Sequence, residues 1–272
     1  MRRNFAQVLR EGKIDLNNEY SKLYDIFYGR SRRDGKSIAD IVSANFTDYN
    51  FRGTCLSLEE FEWTYGFDFV KQPQNLDIDY LVSFCEYIYN FILNTDYGAF
   101  FSSFNKGSHL EHIRRVIEAI GYMESSEDDM TIFVPKDDVA IAVSEFGQIP
   151  ENLSYKIIAY NHHSMKRNLE RKRQMLLIFA DLLEPKRQEL HTVDKQLTSD
   201  LFYAFNNFNI RHNNVDPSCP KYKKPIGKLT NEQLEAWYDE VYQMCLLAFM
   251  QLEHSTRKQE FDKLKDKIEN KE

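Results

Sequence analysis

LTSDLFYAFNNFNIRHNN, residues 197–214, is the stretch of this 272-residue chain from which the fold of its C-terminal half is best predicted. The polar segment 198–200 favours a helix start, because Thr, Ser and Asp side chains can accept hydrogen bonds from the first backbone N–H groups of a helix. Leu201, Phe205 and Phe208 then recur with helical spacing and form one apolar face. The stretch therefore predicts a helix with an aromatic-rich buried side.

The same helical spacing, carried forward, places His212 on the apolar stripe and Arg211 beside it. Asp216 precedes Pro217, and the residue before proline avoids the α conformation, so we expect the helix to end before that point. Positive side chains at a helix C-terminus complement the helix dipole, and Asn tolerates the left-handed conformation of a C-cap. A structural role for this cluster is therefore one interpretation from the start.

The segment NNFNIRHNN resembles the motif segment of HEPN-type helical proteins, many of which are RNases of bacterial antiphage and toxin systems. The family pattern is an Arg, a polar residue, three variable residues and a His at the end of a bundle helix. Arg211 matches the first position and His212 the polar one, whereas Asp216 occupies the position of the family His. The resemblance implies a C-terminal HEPN-like helical bundle, over residues 150–272 with a charged tail, whose motif helices face each other across a cleft between two protomers.

The resemblance also implies how such a protein would cleave RNA without a metal ion or other cofactor. Arg211 would hold the scissile phosphate and stabilise the charge that develops in the transition state. His212 would act as general acid or base, because an imidazole exchanges protons near neutral pH. Asn213 and Asn214 would orient the imidazole or donate hydrogen bonds to the phosphate.

Charge is distributed unevenly along the chain. The net charge is −7, yet residues 161–228 hold thirteen Lys and Arg against seven Asp and Glu, which is a local charge of +6. Lys and Arg supply phosphate affinity that does not depend on base sequence. The candidate RNA-binding residues are Lys166, Arg167, Arg171 and Lys172 ahead of the motif, and Lys221, Lys223 and Lys224 in the proline-rich loop after it. A solvated basic face is the alternative interpretation of the first group.

Cysteine spacing and hydropathy indicate the compartment. The four cysteines are widely separated and form no C-x-x-C pair, which is typical of reduced thiols and not of zinc ligands or a disulfide framework. The chain has no apolar run long enough to cross a membrane and no signal-peptide pattern at its start. We therefore expect a cytoplasmic protein with no metal and no membrane contact.

The N-terminal half, residues 1–147, is predicted to be helical with one β-hairpin near 131–143. Helices are expected over 37–46, 57–65, 77–97 and 108–120. β-Branched residues at 131–134 and 139–143 flank the polar segment 135–138, which favours a hairpin with its turn there. A helix that leads into a hairpin is the closing half of a winged helix, so residues 37–147 are winged-helix-like in this interpretation. Acidic residues at 124–129 would repel a DNA backbone.

The second half, from Pro150, is predicted to be entirely helical. One long helix, bent near 162–163, is expected over 153–190. Thr230 is expected to cap a final helix whose apolar residues alternate in steps of three and four, which is typical of a bundle. Those residues are Leu234, Trp237, Val241, Cys245, Ala248 and Leu252.

Three functions stay open on the sequence alone. The first is a HEPN-like, metal-independent endoribonuclease of a bacterial defence or toxin system, acting on RNA. The second is a non-catalytic helical module that forms a homodimer through its C-terminal helices or binds a protein partner such as an antitoxin, and the third is a winged-helix regulator that binds nucleic acid. No P-loop, dinucleotide-binding, zinc-protease or nucleophile-elbow motif is present, so the sequence offers no support for those chemistries.

Overall fold

A computed structural model describes residues 14–31, 35–95 and 105–269. Within these ranges the chain is mainly helical and carries one small antiparallel hairpin, which confirms the predicted fold class. None of the helices described is both long enough and apolar enough to span a membrane. The chain divides into two units between Pro135 and Lys136, whereas the sequence predicted the boundary between residues 147 and 150.

The N-terminal unit is built around a helix that is buried on several sides. Its elements are α1 (Leu16–Tyr28), α2 (Ile38–Ala44), α3 (Leu58–Tyr65), α4 (Ile78–Asn94), α5 (Lys106–Ala119), β1 (Tyr122–Glu127) and β2 (Met130–Pro135). Helix α4 packs against α1, α5 and β2. Ten of its residues are buried, as its wide apolar arc predicted, because an apolar surface that surrounds a helix must be covered on more than one side.

Asn90 of α4 holds the hairpin against the helix. The side-chain oxygen of Asn90 accepts a hydrogen bond from the N–H of Thr131 at 2.9 Å, and its Nδ2 donates to the Thr131 carbonyl at 2.7 Å. The backbone N–H of Phe133 donates to a carboxylate oxygen of Glu86 at 2.7 Å. Because buried backbone groups need hydrogen-bond partners, these contacts fix the position of β2.

The predicted hairpin turn at 135–138 and the predicted strand at 139–143 are wrong. The turn lies at Asp128 and Asp129, whose φ angles of 49° and 64° suit the tight two-residue hairpins that aspartate tolerates. Residues 139–143 belong to a helix instead, because the Asp137 carboxylate accepts hydrogen bonds from the N–H groups of Val139 and Ala140, both at 3.0 Å. That helix packs in the C-terminal unit, which places the boundary before it.

The C-terminal unit is entirely helical among the residues described. Its elements are α6 (Asp138–Ser144), α7 (Glu151–Ala159), α8 (Leu169–Leu183), α9 (Arg187–Val193), α10 (Lys195–Asn207) and α11 (Asn231–Glu269). The long helix predicted over 153–190 is therefore three helices. Arg167 has a φ of 61°, which no helix accommodates, and the Asn168 side chain caps α8 by accepting from the Arg171 N–H at 3.1 Å.

Helix α11 forms the main packing surface of this unit. It contacts α6, α8, α9 and α10. Thr230 caps it as predicted, since its hydroxyl accepts from the Gln233 N–H and the Gln233 side chain accepts from the Thr230 N–H. The predicted apolar face is buried except at Trp237, whose side chain is half-exposed.

Candidate functional site

Helix α10 both begins and ends earlier than the sequence predicted. Asp194 caps it in place of the 198–200 segment, because its carboxylate accepts from the Leu197 N–H at 2.9 Å. The helix ends at Asn207, and Phe208 is its C-cap. The expectation that His212 continues the helical stripe is therefore wrong, and the motif lies in the loop that follows the helix.

Two asparagines close this loop. Asn209 has a φ of 61° and reverses the chain, a conformation that Asn adopts more easily than most residues. Its N–H donates to Oδ1 of Asn214 at 2.8 Å, and the Asn214 N–H donates back to Oδ1 of Asn209 at 3.1 Å. Nδ2 of Asn214 donates to the Lys221 carbonyl at 2.7 Å. Asn214 is fully buried, so it supports the loop. The prediction that it contacts a phosphate is wrong.

The loop is fastened to two helices through one carbonyl group. The Asn209 carbonyl accepts from Nε of Arg173 on α8 at 2.8 Å and from the Tyr238 hydroxyl on α11 at 3.2 Å. Tyr238 is itself buried. The position of the motif is therefore determined by tertiary contacts as well as by its own hydrogen bonds.

Asn213 and Asp216 form an exposed turn. Oδ1 of Asn213 accepts from the Asp216 N–H at 3.1 Å. The Asp216 carboxylate in turn accepts from the backbone N–H of Ser218 at 2.8 Å and from its hydroxyl at 2.7 Å. These hydrogen bonds lower the pKa of Asp216, so it stays ionised and stabilises the turn. Near neutral pH it therefore cannot donate a proton in place of the His of the HEPN motif.

Arg211 is held by groups on both sides of its guanidinium. Its Nη1 lies 2.5 Å from a carboxylate oxygen of Glu184, and its Nη2 donates to the Ala180 carbonyl at 3.1 Å. The guanidinium carbon lies 5.8 Å from the ring centre of Phe202 and 5.5 Å from that of Phe205. The Arg211 side chain is 20% exposed, so it is anchored in the bundle while one part still reaches the surface.

A surface pocket lies at the Glu184 side of this ion pair. The pocket has a volume of about 510 Å³, and its lining residues are Glu184, Pro185, Arg187, Gln188 and His191. Arg187 lies 3.7 Å from the Glu184 carboxylate and stacks over the Phe202 ring at 4.6 Å. Glu184 therefore links two arginines that share one aromatic ring. We call Glu184, Arg187, His191 and Arg211 the arginine cluster.

Arg187 and His191 were not among the residues predicted from the sequence to form the site. They stand one helical turn apart on α9, so they project from the same side of that helix. The available signal was the segment PKRQELH, residues 185–191, in which a proline at a helix start is followed by Arg and His with a spacing of four. Only the packing of α9 near α10 brings this pair to the motif.

Lys172 is misassigned as an RNA-binding residue. Its side chain is 6% exposed, and its Nζ lies 2.8 Å from Glu235 and 2.6 Å from Asp239 on α11. It also lies over the ring of Tyr160 at 5.6 Å. A lysine that is buried and bonded to two carboxylates is part of the packing between α8 and α11 and does not contact a ligand at the surface.

The remaining predicted RNA-binding residues fall into two groups. Lys221, Lys223 and Lys224 are exposed in the loop, and the Lys223 N–H donates to the Asn214 carbonyl at 2.8 Å, so these lysines belong to the same loop as the motif. Lys166 and Arg167 are exposed before α8, and Arg171 lies on its first turn with Nη1 3.0 Å from the Ser164 hydroxyl. His212 is partly exposed.

No protein-family model, curated protein or solved structure matches this chain.

Proposed function

We propose that the C-terminal unit binds RNA at the arginine cluster and cleaves it without a metal ion, as the resemblance to HEPN-type RNases implies. The observation that supports this most is the shared ion pair. Two guanidinium groups contact one carboxylate, that of Glu184, beside a pocket that His191 also lines. The arrangement carries one more positive than negative charge, and a phosphate can occupy the place of the carboxylate.

A phosphodiester fits these donors better than a carboxylate side chain does. A guanidinium presents a planar fork of N–H groups that matches phosphate oxygens in pairs. The contact with the Phe202 ring restricts the guanidinium of Arg187, which reduces the side-chain entropy lost on binding. The exposed loop lysines Lys221, Lys223 and Lys224 would contact neighbouring phosphates of a longer strand.

Cleavage would proceed by attack of the ribose 2′-hydroxyl on the adjacent phosphorus. The bond from the 2′-oxygen to phosphorus forms, the bond from phosphorus to the 5′-oxygen breaks, and a 2′,3′-cyclic phosphate and a 5′-hydroxyl result. Arg211 and Arg187 would neutralise the extra charge on the phosphate oxygens. One imidazole, His191 or His212, would accept the proton of the 2′-hydroxyl, and the other would donate a proton to the leaving 5′-oxygen.

A second candidate function is the non-catalytic interaction module. The hydrogen bond from Arg211 to the Ala180 carbonyl and its position over two phenylalanine rings favour it, because these contacts suffice to explain the residue by packing alone. In that case the pocket would bind no RNA.

The two functions are distinguished by measuring RNA binding and cleavage in EDTA with the full chain. We expect Arg187→Ala and Arg211→Ala each to weaken binding of a labelled single-stranded RNA by roughly tenfold or more, since a hydrogen bond to a charged group is worth about 1.5–3 kcal/mol. Glu184→Gln should strengthen binding, because it removes the carboxylate that competes with phosphate. His191→Ala and His212→Ala should affect the cleavage rate more than the affinity.

Arg115→Ala is the matched control. Arg115 is a 73% exposed arginine of α5 in the N-terminal unit, also paired with a glutamate, so it reports the loss of one surface charge far from the motif in sequence. Equal affinities for the wild type, Arg115→Ala, Arg187→Ala and Arg211→Ala would exclude binding at the arginine cluster. Binding that depends on the arginines without any cleavage would leave an RNA-binding module and exclude the nuclease.

A further inference from the structure

Helix α11 continues well past the bundle that it helps to form. It spans Asn231–Glu269, which at 1.5 Å per residue is roughly 58 Å. Its last buried residue is Leu252. From residue 253 onward almost every side chain is exposed, so the final four to five turns have little to pack against among the residues described. An isolated helix of four to five turns is marginally stable in water.

A mainly apolar stripe runs along the C-terminal part of α11, from residue 247 to residue 268, on a different face from the one that packs in the bundle. Phe261, Leu264 and Ile268 are 56%, 54% and 69% exposed, and Leu247 is 49% exposed. They belong to a series that alternates in steps of three and four: Leu247, Met250, His254, Arg257, Phe261, Leu264 and Ile268. At 100° per residue, this series is centred about 140° from the mean direction of the buried residues of α11.

The steps of three and four are the seven-residue repeat of a coiled coil. Leu247, His254, Phe261 and Ile268 take the first core position (a), and Met250, Arg257 and Leu264 take the second (d). We propose that this stripe pairs with the same stripe of a second copy of this chain, as a parallel two-stranded coiled coil over residues 247–268.

Charges beside the stripe specify the partner and its direction. In a parallel pair, the residue before each first core position faces the residue five places further along the other chain. Here Glu253 faces Lys258 of the second copy, and Glu260 faces Lys265. An antiparallel pair would set Glu against Glu and Lys against Lys, which is destabilising. The sequence is therefore complementary to itself in one direction only.

Two polar core residues set the strength of this association. His254 and Arg257 would lie in the seam, where polar side chains lower stability but fix the register. Within one chain, Arg257 already pairs with Glu253 at 3.4 Å and lies 5.9 Å from the ring centre of Phe146. We therefore expect a reversible dimer whose population depends on protein concentration.

Charge reversal in the full chain tests both the partner and the direction, with sedimentation velocity over a concentration series as the readout. Glu260→Lys places Lys against Lys at two symmetric contacts and should weaken dimerisation by roughly tenfold. The double variant Glu260→Lys with Lys265→Glu restores both contacts and should dimerise like the wild type. Asp266→Lys, an acid-to-lysine change on the outer face of the helix, is the matched control and should have no effect.

Three results would overturn the proposal. They are a wild-type protein that stays monomeric at every concentration, a dimer that tolerates Glu260→Lys as well as Asp266→Lys, and a double variant that fails to recover. Circular dichroism of each variant verifies that the helix is retained. Because no RNA enters these measurements, their outcome is independent of the proposed function.

Discussion

Replacing Asn214 by alanine should destabilise the C-terminal unit by about 3 kcal/mol. The change removes the acceptor of the Asn209 N–H at 2.8 Å and the donor to the Lys221 carbonyl at 2.7 Å. Asn214 is fully buried, and both hydrogen bonds are partly buried. Each unsatisfied buried group costs about 1–3 kcal/mol, and we take the lower half of that range because water partly reaches Asn209 and Lys221. For a unit of this size the loss corresponds to a fall in Tm of roughly 10 °C.

The fluorescence of Trp237 reports the unfolding of this unit during a thermal or urea titration. A Trp63→Phe background removes the signal of the N-terminal unit, and Trp63 is 86% exposed, so the replacement is tolerated. Asn213→Ala is the matched control, because it loses only an exposed hydrogen bond to the Asp216 N–H and should change stability by less than about 0.5 kcal/mol. Similar unfolding curves for the Asn213 and Asn214 variants would refute the structural role of Asn214.

Two further predictions concern the buried lysine and the hairpin turn. Lys172→Met should lower the urea midpoint by the equivalent of about 2 kcal/mol, less than the 3–5 kcal/mol of a fully buried pair because Asp239 is half-exposed and regains water. Burial alone would raise the pKa of Glu235, but hydrogen bonds led by that of Lys172 lower it overall. The stability difference between the wild type and Lys172→Met should therefore shrink as the pH falls below 4.5, where Glu235 becomes protonated. A loss of RNA affinity without any loss of stability would contradict the structural role of Lys172. Asp129→Gly should stabilise the N-terminal unit by roughly 0.5–1 kcal/mol, since glycine adopts the φ of 64° without strain; a lower melting temperature than that of the wild type would contradict the turn assignment.

Helices with strong periodicity and side-chain caps were predictable from the sequence. The apolar residues of α4 and α11 gave their buried faces, and Thr230 gave the start of α11. The hairpin was misplaced because the segment VAIAV, residues 139–143, is apolar and β-branched, and periodicity does not separate a short strand from a short helix. The Asp137 cap, which makes that segment a helix, looked like part of a turn.

The candidate site was only partly predictable for the same physical reason. Arg211 was identified, but its partner Glu184 lies 27 positions earlier and comes near it only when α8 and α10 pack together. Lys172 looked like its exposed neighbours because the two carboxylates that bury it lie on α11, more than sixty residues away. Local patterns identify chemical groups, whereas tertiary contacts decide which of them face a ligand.

Glu184 determines which of the two proposed roles Arg211 serves. The Glu184 side chain is 44% exposed, so water screens its attraction to Arg211, and such a pair is worth about 1 kcal/mol or less. A phosphate that accepts hydrogen bonds from one or both guanidiniums gains more, about 1.5–3 kcal/mol for each charged hydrogen bond. The hydrogen bond from Arg211 to the Ala180 carbonyl uses a different nitrogen, Nη2, and survives the exchange. A polyanion could therefore replace Glu184 as the partner of Arg211 while the hydrogen bond to Ala180 keeps Arg211 anchored in the bundle. The internal contacts of Arg211 and the proposed role in phosphate binding are thus compatible.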